Sequence, residues 1–289
     1  MNPLTSNPGV MLPLYCALVL LASLGGGWIP LLLRLTHARL QIAVSLVAGL
    51  MLGMALLHLL PDAAEQLGSL DRAMAWVLGG FLAMFFVQRF FHFHHHDLPE
   101  DDPEASDSGH GVGESHTHGA HGDTLAEKSA RQLSWVGTAL GLSLHSLLDG
   151  LALAAGVAAG AAAHSRWVGL GIALVVIFHK PFDAMAITTL MSASGSSRGS
   201  RHLLNALFAL VTPVGVALFY FGASQFAREN QLFLGCSLAF VAGSFLCIAG
   251  SDLLPELQFH SHDRFTLSIA LLTGLGIAIL IGQLETAGR

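Results

Sequence analysis

The sequence predicts an all-α membrane protein with eight transmembrane helices. Of its 289 residues, 53% are hydrophobic and only 11% are charged, whereas a soluble domain carries about 25% charged residues. Eight apolar stretches reach the length of about 20 residues that a bilayer requires, and they lie at residues 10–33, 40–60, 74–92, 133–161, 167–192, 203–223, 232–254 and 265–284. All three cysteines fall inside these stretches, so we interpret them as packing residues and not as a disulfide framework.

The order of the stretches divides the chain into four parts. Residues 1–92 hold spans 1–3, residues 93–130 form a long polar loop, residues 131–192 hold spans 4 and 5, and residues 193–289 hold spans 6–8. The connections on the same side as the loop carry eight Lys or Arg residues, against four on the other side. The positive-inside rule therefore predicts a cytoplasmic loop and places both termini outside.

An internal repeat relates the second span to the seventh. Residues 48–62 align without gaps on residues 242–256, and both segments end in Leu-Leu-Pro followed by an acid. The alternative is coincidence between two leucine-rich helices. Because five crossings separate the two spans, they run antiparallel, which predicts a 3+2+3 inverted repeat with its substrate site near the membrane midplane. Polar side chains near the ends of these spans are candidate pathway residues, with capping and solvation as the alternative role: His58, Asp62, Asp252 and Glu256.

Two His-x-x-x-Asp pairs lie inside consecutive apolar spans. His145 precedes Asp149 in the fourth span, and His179 precedes Asp183 in the fifth. Residues four apart share one face of a helix, and each ionisable group at membrane depth costs about 2.5–3.5 kcal/mol on insertion. A lone buried histidine usually makes only a hydrogen bond, but two such pairs favour a divalent-metal site. Imidazole and carboxylate suit Zn²⁺ best and tolerate Cd²⁺, Fe²⁺, Co²⁺ and Mn²⁺, whereas Mg²⁺ and Ca²⁺ prefer all-oxygen shells.

The polar loop is rich in histidine and acid and has too few apolar residues for a core, so we expect it to be disordered. Nine of the 19 acidic residues lie between Asp97 and Glu127, so the net charge of −6 belongs to this loop and indicates no nucleic-acid partner. Histidine-rich tracts are typical of metal binding, and the alternative is a solubilising linker. The candidates for metal capture are His92, His94, His95, His96, His116, His118 and His121.

These features together resemble the ZIP (Zrt/Irt-like) family of divalent-metal transporters. The resemblance covers nearly the whole chain and includes the eight spans and the histidine-rich loop after the third. The fourth-span motif of the family is His-Asn-x-x-Asp/Glu-Gly, and residues 145–150 match it except at Ser146. The fifth-span motif is commonly His-Glu-x-Pro-His-Glu. Here residues 179–183 keep the first histidine and an acid four positions later but carry Lys180 in place of the acid and move the proline to Pro181.

The resemblance also implies which residues hold metal. The first of the family's two metal positions carries over to His145, Asp149, His179, Asp183 and Met51, with packing as an equal alternative for the methionine. The second position relies on an asparagine, an acid and a sixth-span glutamate, and this chain has Ser146, Lys180 and Thr212 there. We therefore expect a mononuclear site in which the Lys180 ammonium replaces the second cation.

The resemblance implies a transporter that brings Zn²⁺ into the cytoplasm as its substrate and not as a catalytic cofactor. Its partners would be divalent metal ions, the lipid bilayer and a second copy of the chain in a homodimer. An intramembrane zinc-dependent hydrolase is the main alternative, and it would need an activated water and a general base. A metal sensor without flux is another. Short termini, tight loops and the lack of an Asn-x-Ser/Thr sequon favour a bacterial inner membrane.

Overall fold

Helices make up nearly all of the chain that the structure describes. The computed structural model describes residues 7–32, 37–91, 125–165, 167–223, 231–253 and 264–287, and within these ranges there is no β-strand. Eight helices in these ranges are long and apolar enough to cross a membrane. The prediction of an all-α membrane protein with eight spanning helices is therefore confirmed.

The helices follow one another in the predicted order. The first three spans are α1 (Pro8–Leu32), α2 (His37–Met54) continued by a π-helical turn (Ala55–Leu59) and α3 (Leu60–Leu67), and α4 (Leu70–Phe91). The fourth and fifth are α5 (Leu125–Ala162) and α6 (Leu170–Ala193). The last three are α7 (Arg198–Leu218) with a π-helical turn (Phe219–Ala223), α8 (Gln231–Ile248) with a π-helical turn (Ala249–Leu253), and α9 (Arg264–Ala287).

The boundary between the polar loop and the fourth span lies earlier than predicted. Helix α5 begins at Leu125, whereas the sequence predicts a loop that continues to residue 130. Residues 126–131 are Ala, Glu, Lys, Ser, Ala and Arg, and all of these except serine are strong helix formers. Polarity alone therefore misplaced the start of this helix. The predicted metal-capture histidines lie between residues 92 and 121, outside the described residues.

A π-helical turn in the second span precedes Pro61. The Leu60 N–H donates to the carbonyl of Ala55, five residues earlier. Proline has no N–H and interrupts the usual ladder of bonds between residues four apart, and a wider turn is one way for a helix to absorb such an interruption. The π-helical turn after α8 ends at Leu253, two residues before Pro255. The first turn ends at Leu59, at the same distance from its own proline.

Glycine residues allow two pairs of helices to pack backbone against backbone. Helix α2 packs on α9, and α4 packs on α8. A Cβ atom added to Gly49 would collide with the carbonyl of Leu271, and one added to Gly243 would collide with the carbonyl of Val77. Small residues at such crossings are typical of helix association in lipid.

Helices α5 and α6 lie where polar side chains can be kept away from lipid. Helix α5 packs on α1, α4, α6, α7 and α8, and α6 packs on α1, α2, α5, α7 and α9. These neighbours cover the polar faces of the two helices, whereas apolar side chains such as Leu140 on α5 and Phe178 on α6 stay exposed. The fully buried polar or charged side chains at the centre of this group are His145, Ser146, Asp149, His179, Lys180 and Thr212.

Candidate metal centre

Four side chains from α5 and α6 meet at one point in the core. His145 and Asp149 lie one helical turn apart on α5, and His179 and Asp183 lie one turn apart on α6. One ligand atom from each of the four lies within 4.8 Å of the other three. Asp183 keeps 14% of its side-chain surface exposed, whereas the other three are at most 4% exposed. The two pairs that the sequence placed on separate helices therefore face each other.

The distances between these atoms fit a single small cation. The His145 Nε2 atom lies 3.4 Å from Asp149 Oδ2 and 3.6 Å from Asp183 Oδ2. The His179 Nε2 atom lies 3.1 Å and 3.9 Å from the same two oxygens. Ligand atoms bound at about 2.0–2.1 Å in a tetrahedron are separated by about 3.3–3.4 Å. Four neutral or anionic donors at this spacing could hold Zn²⁺ with little rearrangement.

Several nitrogen and oxygen atoms of the cluster remain available to bind a metal. The Nδ1–H of His179 donates to the backbone carbonyl of Val175 at 2.8 Å, which fixes the ring and turns Nε2 toward the carboxylates. Both ring nitrogens of His145 and the Oδ1 atom of Asp149 have no hydrogen-bond partner among the described residues. Buried polar atoms are rarely left in this condition, so this part of the core suits an additional charged group.

Lys180 lies beside the cluster and touches it directly. Its Nζ atom donates to Asp149 Oδ2 at 2.6 Å and to Ser146 Oγ at 2.7 Å, and it lies 3.5 Å from Asp183 Oδ2. The side chain is completely buried. An ammonium group in this position neutralises part of the charge of the two carboxylates, since an unpaired buried charge is strongly unfavourable.

Two aromatic side chains at this site were not predicted from the sequence. The Phe208 ring on α7 lies under the Lys180 ammonium, at 5.5 Å from Nζ to the ring centroid. The Phe245 ring on α8 meets the His179 ring edge to face, at 6.4 Å between centroids. Phe208 lies four residues before Thr212, on the same face of α7, and that spacing was the available signal. No comparable spacing in the sequence indicated Phe245.

The fifth ligand candidate and the residue at the lost sixth-span ligand position are both buried in the same core. Met51 on α2 is fully buried within the main hydrophobic cluster, so its role as a ligand stays a prediction. Thr212 on α7 is also fully buried, and its hydroxyl has no hydrogen-bond partner in the described part of the chain.

The candidate pathway residues are not part of the four-residue cluster. The His58 imidazole donates to the carbonyl of Ala278 on α9 at 2.9 Å and lies against Gly282, where a Cβ atom would collide with the ring. Asp62 and Glu285 line a cavity of about 430 Å³ together with His58. Glu285, which the sequence did not indicate, accepts a hydrogen bond from the backbone N–H of Gly171 at the start of α6. The side chain of Asp252 and the whole of Glu256 lie outside the described residues.

Comparison with known proteins decides the family. A family model described as ZIP Zinc transporter matches residues 10–282. The chain belongs to the ZIP zinc transporter family. Zinc transporter ZIP9-A of Xenopus laevis is 32% identical over 158 residues, which are 52% of this chain and 49% of the relative. Zinc transporter ZIP4 is 29% identical in Mus musculus and 28% in Homo sapiens, each over 86% of this chain and 44% of the relative.

ZIP membership bears on the alternatives that the sequence left open. Members of the ZIP family are zinc transporters and not enzymes, and they move zinc as a substrate and not as a catalytic cofactor. The match gives no support to an intramembrane hydrolase. The chain spans about half the length of the ZIP9 and ZIP4 relatives, at 49% and 44%. The relatives named here come from animals, and none places this chain in a bacterial membrane.

Proposed function

We propose that this protein carries Zn²⁺ from the outside into the cytoplasm and holds one ion at a time between α5 and α6. Cd²⁺, Fe²⁺, Mn²⁺ and Co²⁺ are the other substrates that its ligand types accept. The observation that carries the proposal is the convergence of His145, Asp149, His179 and Asp183 within 4.8 Å. Burial in the middle of the helix bundle supports a site near the membrane midplane, and Met51 is the proposed additional ligand.

The charge at the site favours one ion over two. Asp149 and Asp183 contribute two negative charges and Lys180 contributes one positive charge, so the group carries −1 with neutral histidines. One dication brings it to +1, whereas two would bring it to +3 in a buried environment. Net charge of that size without counter-ions is strongly unfavourable. Lys180 therefore takes the place of the second cation, with Ser146 and Thr212 as neutral neighbours.

Two structural correspondences support the 3+2+3 inverted repeat. The aligned segments differ by 194 positions, so Gly49 corresponds to Gly243, and each brings its helix into contact with a partner helix through the backbone. The π-helical turns at Ala55–Leu59 and Ala249–Leu253 differ by the same 194 positions. Coincidence between two leucine-rich helices does not predict that a glycine contact and a π-helical turn recur at one alignment offset. We propose that the two units of three helices move relative to α5 and α6 during transport.

The proposed topology places the histidine-rich loop in the cytoplasm and both termini outside, and the proposed location is a bacterial inner membrane. His58 and Asp62 then lie on the outer side and Glu285 close by, where they would guide ions toward the site, with Asp252 and Glu256 in the equivalent part of the other repeat. The loop histidines would capture or sense metal after it enters the cytoplasm. We further propose that the protein forms a homodimer and that its apolar helices contact the bilayer.

Metal uptake by proteoliposomes that contain the purified full chain tests the proposed function. His145→Asn should abolish uptake and zinc binding while the protein stays folded, because the ring nitrogens of His145 make no hydrogen bond in the described part of the chain. His164→Asn is the matched control, since this exposed histidine lies at the end of α5 with φ 54°, a conformation that asparagine tolerates. Full uptake by folded His145→Asn protein would refute the site, and zinc binding without flux in the unmodified protein would indicate a sensor.

A further inference from the structure

A second polar cavity lies at the ends of α6 and α7, separate from the metal centre. It has a volume of about 480 Å³ and is lined by, among others, Thr188, Ser192, Arg198, Arg201, His202 and Asn205. Two of these side chains carry guanidinium groups and one carries an imidazole. No acidic residue lines this cavity within the part of the chain that the structure describes. The cavity therefore has a positive potential.

Both arginines lie at the start of α7, and a hydrogen bond holds one of them in place. Arg198 and Arg201 lie in the first turn of α7, a helix of 21 residues, where the helix dipole adds further positive potential. The Arg201 Nη1 atom donates to Ser192 Oγ at 2.8 Å, which ties the guanidinium to the last turn of α6. Guanidinium groups offer several N–H donors in a planar arrangement that matches phosphate and carboxylate oxygens.

Asn205 adds a hydrogen-bond acceptor to a cavity whose arginines are hydrogen-bond donors. It lines the cavity and is 97% buried, with 3% of its surface exposed. Its Nδ2 donates to the carbonyl of Leu24 on α1 at 3.2 Å. Its Oδ1 has no hydrogen-bond partner among the described residues. Gly27 on α1 leaves room for the Asn205 amide beside the cavity, because a Cβ atom there would collide with that amide. An unpartnered buried oxygen of this kind suits a ligand that brings an O–H or N–H donor.

We propose that this cavity binds a phosphate group that carries a hydrogen-bond donor. Arg198 and Arg201 would hold the phosphate oxygens, and Asn205 Oδ1 would accept from the donor. Two sources have this chemistry: a phospholipid headgroup that ends in a hydroxyl or an ammonium, and free inorganic phosphate with its own P–OH group. The turn at residues 194–197 places the cavity at the boundary of the bundle, on the side that the proposed topology assigns to the cytoplasm. Anionic headgroups and basic juxtamembrane residues meet at that surface.

Occupation of this cavity would connect the metal-bearing helix to its neighbour. Thr188 follows Asp183 by five residues, about 7.5 Å along the axis of α6. A ligand held by both α6 and α7 would therefore fix the end of the helix that carries half of the metal centre. None of the four candidate metal ligands lines this cavity, so binding to it can be measured without transport.

Thermal unfolding of the purified full chain in detergent tests the proposal. Phosphatidylglycerol, phosphatidylethanolamine, phosphatidylcholine and inorganic phosphate are titrated at matched ionic strength, and native mass spectrometry counts the lipids retained. Phosphatidylcholine serves as the matched ligand, because it has the phosphate of phosphatidylethanolamine without any N–H donor. The variant is Arg198→Gln with Arg201→Gln. Its control is Arg89→Gln, an exposed arginine at the end of α4 that does not line the cavity.

We expect phosphatidylglycerol and phosphatidylethanolamine to raise the unfolding temperature and phosphatidylcholine to do so much less. The double variant should bind at least about tenfold more weakly, and Arg89→Gln should behave as the unmodified protein. If only lipid raises the unfolding temperature, the ligand is a lipid headgroup. If inorganic phosphate raises it equally, the ligand is the free anion. Equal effects of phosphatidylcholine and phosphatidylethanolamine would overturn the role of Asn205. The proposed site would be refuted if the double variant bound lipid as tightly as the unmodified protein. It would also be refuted if Arg89→Gln weakened binding as much as the double variant does.

Discussion

Replacement of Lys180 by methionine isolates the charge that this lysine brings to the candidate metal centre. Methionine has a similar length and an apolar side chain, so the packing against Phe208 changes little. The substitution removes the ammonium from its contacts with Asp149 at 2.6 Å and with Asp183 at 3.5 Å. Without bound metal, the two carboxylates then lose the ammonium that neutralises part of their charge.

The size of the effect follows from these distances. Unit charges at such separations attract by about 5 kcal/mol at an effective dielectric constant of about 20, and desolvation of the ammonium offsets part of that energy. Removal of one partner from a buried ion pair costs about 3–5 kcal/mol. We therefore expect the free energy of unfolding of the metal-free variant to fall by that amount. Bound Zn²⁺ would compensate the carboxylates, so the metal should stabilise the variant by about 3 kcal/mol more than the unmodified protein.

Unfolding by denaturing detergent, with excess chelator or with Zn²⁺, provides the measurement. Arg89→Met is the control, because this exposed arginine at the end of α4 has no contact with the metal centre and should give no difference. Metal-free Lys180→Met protein that is as stable as the unmodified chain would refute the argument. So would an equal gain from Zn²⁺ in the two proteins, because the lysine charge would then have no influence on metal binding.

Three further results are expected. Lys180→Glu combined with Ser146→Asn should bind two Zn²⁺ ions per chain in equilibrium dialysis, because it restores anionic and amide ligands at the second position; one ion would contradict the substitution of a metal by the lysine. Deletion of residues 97–121, which stops short of α5, should leave uptake at saturating zinc unchanged, and loss of flux by the folded protein would show that the loop is structural. Gly282→Ala should lower the free energy of unfolding by about 1–3 kcal/mol through collision with the His58 ring, and His58→Ala should relieve most of that loss, whereas additive losses would contradict the contact.

Much of the fold could be predicted because membrane spans are determined by local composition. A stretch of about 20 apolar residues has few alternatives in a bilayer, since its backbone must form its own hydrogen bonds. Helical periodicity likewise determined that His145 shares a face with Asp149. The start of α5 was missed because the helix continues beyond the apolar residues into a polar segment, where the signal is helix propensity and not hydropathy. As a result, the helix begins at Leu125, within the segment predicted to be a loop up to residue 130.

The residue types of the candidate metal site, their spacing and the family were therefore determined by the sequence itself. The tertiary structure decided that the two pairs face each other and that Lys180 reaches Asp149, because both depend on the rotation of α5 relative to α6. It also decided that Phe208 lies under the ammonium and that Arg201 and Asn205 line one cavity with the end of α6. These contacts join residues on different helices, and the rotation and depth of one helix against another are set by packing across the whole bundle. No local pattern in the sequence predicts that packing.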